Sequence, residues 1–278
     1  MKIYNTLSKT FTDEVKTQIG VGKSIDEAFE DVKSAIIDNN FGEPTPTPKP
    51  DSNIPTPSEP TPTPKPIDVN ELTHGDGQQD GFYYVDLGLS VKWATCNVGA
   101  DSASDEGKLF QFGRVDGYKY GDSSNQFRTN DQNTQDTGSS YIPLTTSGNT
   151  YDKGETLQSA DDAANVNMGG AWKMPTKDEL EELFNNTTHE VKTISNTSGM
   201  LFTSTRNGKS LFIPFAGNWS GNFYNNGSDA SVWSSQVLPS YVNFAYRLSC
   251  YSSGNALPLA TASRSSALSV RGVFKPQE

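Results

Sequence analysis

Ten of the 16 prolines of this 278-residue chain fall between Pro44 and Pro66. Proline lacks the amide donor and fixes φ, so this stretch is closed to a helix interior or a central strand. The octet Glu-Pro-Thr-Pro-Thr-Pro-Lys-Pro occupies residues 43–50 and returns unchanged at 59–66. Alternating proline favours polyproline II, so the segment reads as a stiff spacer of about 70 Å at full extension. The repeat divides the chain into a helical foot (1–42), a Pro/Thr stalk (43–67) and a domain (68–278) long enough to bury a core.

The foot carries one well-marked helix. Ser24 and Glu27 fit a capping box. Ile25, Ala28, Phe29, Val32, Ala35 and Ile36 then recur at spacings of three and four, giving one apolar stripe. A unit this small cannot stabilise itself from its own core, so the stripe is expected to self-associate or dock on a larger assembly.

The large domain holds all four tryptophans. Short apolar or alternating runs at 83–89, 91–94, 109–112, 211–215, 231–236, 241–248 and 267–274, separated by turn residues, read as strands. Two helices are expected, one over 157–165 and one capped by Thr176 with Glu179. The fold class is α+β. The loop across 116–150 is long and polar, and loops of that length are commonly functional or mobile.

Composition excludes several functions. After residue 66 the chain has 23 Asp and Glu against 15 Lys and Arg, and it has no basic run. Nucleic acid and anionic membrane are poor partners for such a surface. No apolar stretch is long enough to span a bilayer. The chain opens without an apolar h-region or small-residue cleavage site, which sets the expectation of a protein made in the cytoplasm rather than exported. Asp76, Gln78 and Asp80 before Gly81 imitate half a calcium loop, but Leu87 stands where its closing Glu belongs. No metal and no cofactor are expected. His74 and His189 lie beside no nucleophile motif. Cys96 and Cys250 lack metal-ligand spacing and read as two separate small thiols, a disulfide being the alternative. The acidic residues Asp178, Glu179, Glu181 and Glu182 read as a solvated face with a favourable helix-start charge.

Segment 218–256 is different. Of its 39 residues, 24 are Tyr, Ser, Gly, Asn or Trp, and only Asp229 and Arg247 are charged. Paratopes use this palette: Tyr and Trp give rigid amphipathic contact, while Ser, Gly and Asn give adaptable hydrogen bonds. The candidate ligand-binding residues are Trp219, Tyr224, Asn225, Asn226, Tyr241, Asn243, Tyr246 and Tyr251. Trp233, Phe223 and Phe244 are expected in the core.

Several motifs together resemble the Fibrobacter succinogenes major paralogous domain family over nearly all of 82–274. They are Tyr84-Val-Asp-Leu-Gly-Leu-Ser-Val-Lys-Trp-Ala-Thr-Cys-Asn-Val-Gly-Ala100, Asp161-Asp-Ala-Ala-Asn165, Gly169-Gly-Ala-Trp-Lys-Met-Pro-Thr176 with Glu179, Ser210-Leu-Phe-Ile-Pro-Phe-Ala-Gly217, Val232-Trp-Ser-Ser235 and Ser269-Val-Arg-Gly-Val273. Two positions depart from the family pattern. Phe112-Gly113-Arg114 stands where it usually has Trp-Gly-Glu, and Gly272 stands where it usually has proline. The resemblance implies a C-type-lectin-like fold and a binding scaffold. Relatives include retroelement-diversified binding proteins and phage receptor-binding proteins, so 218–256 could be a variable region. The calcium-binding Glu-Pro-Asn and Trp-Asn-Asp motifs of sugar-binding lectins are absent, so sugar binding would not need calcium.

The resulting expectation is a non-enzymatic phage virion protein, a head fibre or similar appendage. It would be a homotrimer, docked on the capsid or another virion protein through 1–42 and touching host-surface glycan or protein through its domain. The rivals are a bacterial surface adhesin, a decoration protein that binds nothing, and a lectin-fold enzyme.

Overall fold

The chain divides into two units, Met1–Thr63 and Pro64–Glu278. The computed structural model describes residues 67–123, 126–127, 142 and 144–276. The foot, its Ile25–Ile36 stripe and the stalk up to residue 66 lie outside the described residues, as does most of 124–143.

The domain is mainly β with a few short helices, in keeping with an α+β class. A first sheet runs β1 (Gly77–Gln79), β2 (Phe82–Val85), β3 (Lys92–Asn97), β14 (Arg271–Phe274), with antiparallel neighbours. It joins strands from the two ends of the domain. A second sheet runs β12 (Ala256–Ser263), β11 (Phe244–Tyr251), β10 (Asp229–Val237), β13 (Ala267–Ser269), β8 (Ala216–Trp219), β9 (Phe223–Asn226), with β4 (Leu109–Gln111) also on β13. A third comprises β5 (Thr187–Ile194), β6 (Thr197–Ser204) and β7 (Ser210–Pro214).

Helix α1 (Val69–His74) is capped by Asp68, whose carboxylate accepts from the Asn70 amide (2.9 Å). The helix expected over 157–165 is instead a 3₁₀ turn (Ser159–Asp161) followed by α2 (Ala163–Met168). The break has a local cause. Asp162 adopts an extended backbone and accepts from the Asn165 amide, so it starts a new helix instead of continuing the old one. Helix α3 (Lys177–Asn185) has the expected capping box: the Glu179 amide donates to Thr176 Oγ1 (3.2 Å) and the Thr176 amide to the Glu179 carboxylate (2.7 Å).

The core has two main parts. In one, Leu180 and Leu183 of α3 pack with Val85, Leu87 and Trp93, with Phe202 and Ile213 of the third sheet, and with Val232 and Leu248 of the second. In the other, Trp172, Trp233, Phe110, Phe112, Leu268 and Phe274 pack together. Their polar edges are satisfied: Trp233 Nε1 donates to the Phe110 carbonyl (2.8 Å) and Trp172 Nε1 to that of Gln79 (3.0 Å). Each such ring withdraws enough apolar surface to contribute roughly 2–3 kcal/mol.

The run expected as one strand over 267–274 is two strands in two sheets, with Val270 between them accepting from the Val98 amide. The run expected over 241–248 begins only at Phe244, because Phe244 closes a turn onto the Tyr241 carbonyl. Both positions at which the sequence departs from the pattern it resembles have a physical setting. Gly272 lies where the β14–β3 register shifts, the sort of irregularity at which a sheet tolerates proline, and a Cβ there would sit 2.7 Å from Met168 Sδ. Arg114 holds Asp116 with two parallel bonds, Nε to Oδ1 (2.8 Å) and Nη2 to Oδ2 (2.9 Å).

Candidate binding surface

The eight residues expected to bind ligand do not form one patch. Trp219, Tyr224, Asn225 and Asn226 lie on the β8–β9 hairpin, near the start of β10. Tyr251 is there too, paired with Asp229. Tyr241 and Asn243 lie in the 238–243 loop at the far end of β10, a nine-residue strand that spans about 30 Å. Tyr246 is five residues from Tyr251 on β11, so alternation turns it to the opposite face, the side where Leu248 meets α3.

Trp219 corrects the expectation. It is only 3 % exposed, stacked on Phe127 at 4.6 Å and packed with Leu109 and Ala267. It is a core side chain, and a ligand could not stack on it without displacing Phe127. The reverse assignment is right for Trp233, which is buried, and partly right for Phe223 and Phe244, which are half-buried. Tyr224 (47 % exposed) and Tyr241 (64 % exposed) are open to solvent.

A compact polar constellation remains on β10 and β11. Their register sets Asp229 opposite Tyr251, Ser231 opposite Ser249 and Trp233 opposite Arg247. Alternation puts these six on one face, with Ala230, Val232, Leu248 and Cys250 on the other, in the core. On β12, Leu257 stands beside Ser249 and is half exposed. Register carried through β13 (Trp219 to Ala267, Ser269 to Val232) sets Asn218 and Tyr224 on the same face as Ser231.

Arg247 reaches across this face. Its Nη1 donates to Ser231 Oγ (2.5 Å) and its Nε to the Thr261 carbonyl (3.1 Å). Burial pulls the guanidinium below its usual range, against the opposing influence of Tyr251 and Asp229. Burial likewise pushes the Asp229 carboxyl up, against the pull of Arg247. Among the described residues no salt bridge joins the two. Ser249 is 1 % exposed and its hydroxyl finds no partner among the described residues. Asp229, Ser231, Arg247 and Ser249 were not among the expected site residues. The signal was present, since Asp229 and Arg247 are the only charges in 218–256.

The β8–β9 hairpin depends on one glycine. Gly217 has φ +66°, and a Cβ there would lie 2.3 Å from the Tyr224 carbonyl oxygen and 2.7 Å from the Asn226 nitrogen. Opposite it, Asn225 also takes a positive φ (62°). Gly217→Ala is expected to cost about 1–3 kcal/mol in urea unfolding, because strain and overlap add. An unchanged midpoint would mean that the hairpin is not pinned there.

Other candidate groups serve the fold. Asp76 accepts from the Asp86 amide (2.7 Å) and pairs with Lys209, so its carboxylate is engaged within the protein. Among the described residues no cluster of three or more His, Cys, Asp and Glu could hold a metal. The acidic side of α3 is not wholly solvated. Glu179 caps the helix and pairs with Lys173 (2.9 Å), and Glu182 accepts from the Ser90 amide and hydroxyl. Both cysteines are free. Cys250 lies in the apolar core and burial pushes its thiol far up. Cys96 lines a separate cleft of about 210 Å³ with Phe82, Tyr83, Asn97 and Met168. Burial raises its thiol despite the neighbouring Arg271 guanidinium, so it is not poised as a thiolate.

No family model, curated protein or solved structure matches this chain.

Proposed function

We propose that the chain is a non-enzymatic display protein, a fibre-like component of a phage virion whose C-type-lectin-like domain binds host-surface ligand. The observation that carries this reading is the β10–β11 face, where Asp229, Arg247 and Tyr251 surround two serine hydroxyls beside the exposed Tyr224. A buried serine hydroxyl and a half-buried guanidinium left without full partners among the described residues fit a ligand better than they fit packing. The first sheet, which joins early and late strands of the domain, suits a lectin-like scaffold whose second sheet is free to carry a site. The proline repeat supports presentation at a distance. The virion setting and the role of 1–42 as a trimeric foot rest on the family resemblance and on the apolar stripe.

The full chain, fluorescently labelled, is expected to bind cells of a susceptible gut Bacteroidetes strain saturably and to slow phage adsorption to them. Removing residues 1–42 is expected to leave the domain folded while weakening cell binding by about tenfold or more through lost avidity. Absence of cell binding by the full chain, with adsorption unaffected, would rule the reading out.

A further inference from the structure

We infer that the β10–β11 face takes a neutral sugar residue without a metal ion, holding two adjacent hydroxyls between Arg247 and Asp229 above a floor of Ser231 and Ser249. The inference rests on the binding role proposed above and names the ligand class.

Three observations carry it. First, the Ser249 hydroxyl is 1 % exposed and has no partner among the described residues. A buried hydroxyl without a bond is costly, and a ligand hydroxyl that parts the half-buried Arg247 and Tyr251 side chains to reach it would supply the missing partner. Second, Arg247 spends Nη1 on Ser231 and Nε on Thr261, which leaves Nη2 with no bond among the described residues. A donor there and an acceptor at Asp229 match the two hydrogen-bonding senses of a diol. Third, the two charges cancel, and no other charge lies in 218–256. An anionic sugar would meet Asp229 as well as Arg247, on a domain that is acidic overall. A protein partner is less well matched, because interface hot spots gather several aromatic anchors in one buried centre. Here Tyr224 and Tyr241 stand at opposite ends of β10.

The test applies the full chain, in excess EDTA, to an array of neutral, uronate-bearing, sialylated and sulfated glycans. Binding to neutral glycans is expected to persist. Arg247→Met and Asp229→Asn are each expected to weaken it by about tenfold, while Tyr241→Ala changes it by less than about twofold. Asp229→Asn keeps the side-chain shape, so it reads the site even if Arg247→Met unfolds, and thermal melts of each variant separate the two cases. The inference is overturned if binding is confined to acidic glycans, needs calcium, ignores both substitutions, or is absent from the array. Full-length protein that still binds cells after periodate destroys their surface sugars would overturn the sugar assignment and leave the display role standing. Loss of all cell binding would remove both.

Discussion

Asp161→Ala is expected to lower the unfolding free energy by about 3–5 kcal/mol, one of the two largest single-residue effects in the domain. The carboxylate is fully buried and accepts four bonds. They come from the Ser147 amide (2.7 Å), the Ser147 hydroxyl (2.5 Å), the Asn149 side-chain amide (3.1 Å) and the Tyr151 hydroxyl (2.7 Å). Alanine leaves several of these donors without a partner, and each buried orphan costs about 1–3 kcal/mol. Gln158 is tied in as well, its amide donating to the Tyr151 hydroxyl (3.0 Å). The loss therefore spreads along 147–158, which should become open to protease while the second sheet stays closed. Urea unfolding gives the magnitude and limited proteolysis gives the place.

The same site sets an acid dependence. Burial pushes the Asp161 carboxyl up, but the bonds from Ser147, Tyr151 and Asn149 outweigh it and hold the group below its usual range. A carboxyl depressed on folding stabilises the protein fully above its unfolded pKa, about 3.9. That contribution is lost as pH falls through the folded value. Asp161→Asn keeps the shape but turns a donor toward the donors of Ser147 and Tyr151. Its deficit against the parent should be largest near neutral pH and shrink in acid. A deficit constant from pH 7 down to the acid transition would show that the charge is not what holds the loop.

How much of this was legible depended on whether a signal was local. The capping box of Thr176 and Glu179 was readable because one turn of backbone decides it. The β5–β6 hairpin was not expected. Its strands, Thr187–Ile194 and Thr197–Ser204, show little apolar alternation, and its turn is Ser195-Asn196, both at positive φ (48° and 68°), without the Asn-Gly that normally marks such a turn. The hairpin is fixed from outside, by Phe202 and Met200 packing on α3. At the candidate site, composition found the segment but not the face. Trp219 and Tyr224 look alike in a polar aromatic run, and only the ring of Phe127, nearly a hundred residues earlier, decides which is buried. Arg247 became important through its register with β10, which no local pattern encodes. The foot and stalk, outside the described residues, remain readings of sequence alone.

The other large effect is expected at Arg271, in the middle of the closing Ser-Val-Arg-Gly-Val run. The side chain is fully buried, and among the described residues no salt bridge joins it to a carboxylate. Its Nη1 donates to the Ala94 carbonyl of β3 (3.1 Å) and its Nη2 to the Phe212 carbonyl of β7 (2.9 Å). It therefore ties the first sheet to the third. Arg271→Ala removes that tie, orphans two carbonyls and opens a cavity, at an expected cost of about 3–5 kcal/mol. Arg271→Met fills most of the space and removes a buried charge that has no counter-ion among the described residues, so its cost should be only about 1–2 kcal/mol. The gap between the variants in urea midpoint separates packing from charge. Equal losses would mean that the carbonyl bonds, not the filled volume, decide the energy. Cys96 supplies an independent readout. Burial raises its thiol and the Arg271 guanidinium partly offsets the rise. Arg271→Met should therefore push the thiol further up and slow its alkylation at alkaline pH, with Cys250 unreactive in both folded proteins. Faster alkylation of Cys96 would mean that the substitution had opened the sheet junction, and the arginine would then be holding the two sheets together by its bonds rather than by the space it fills.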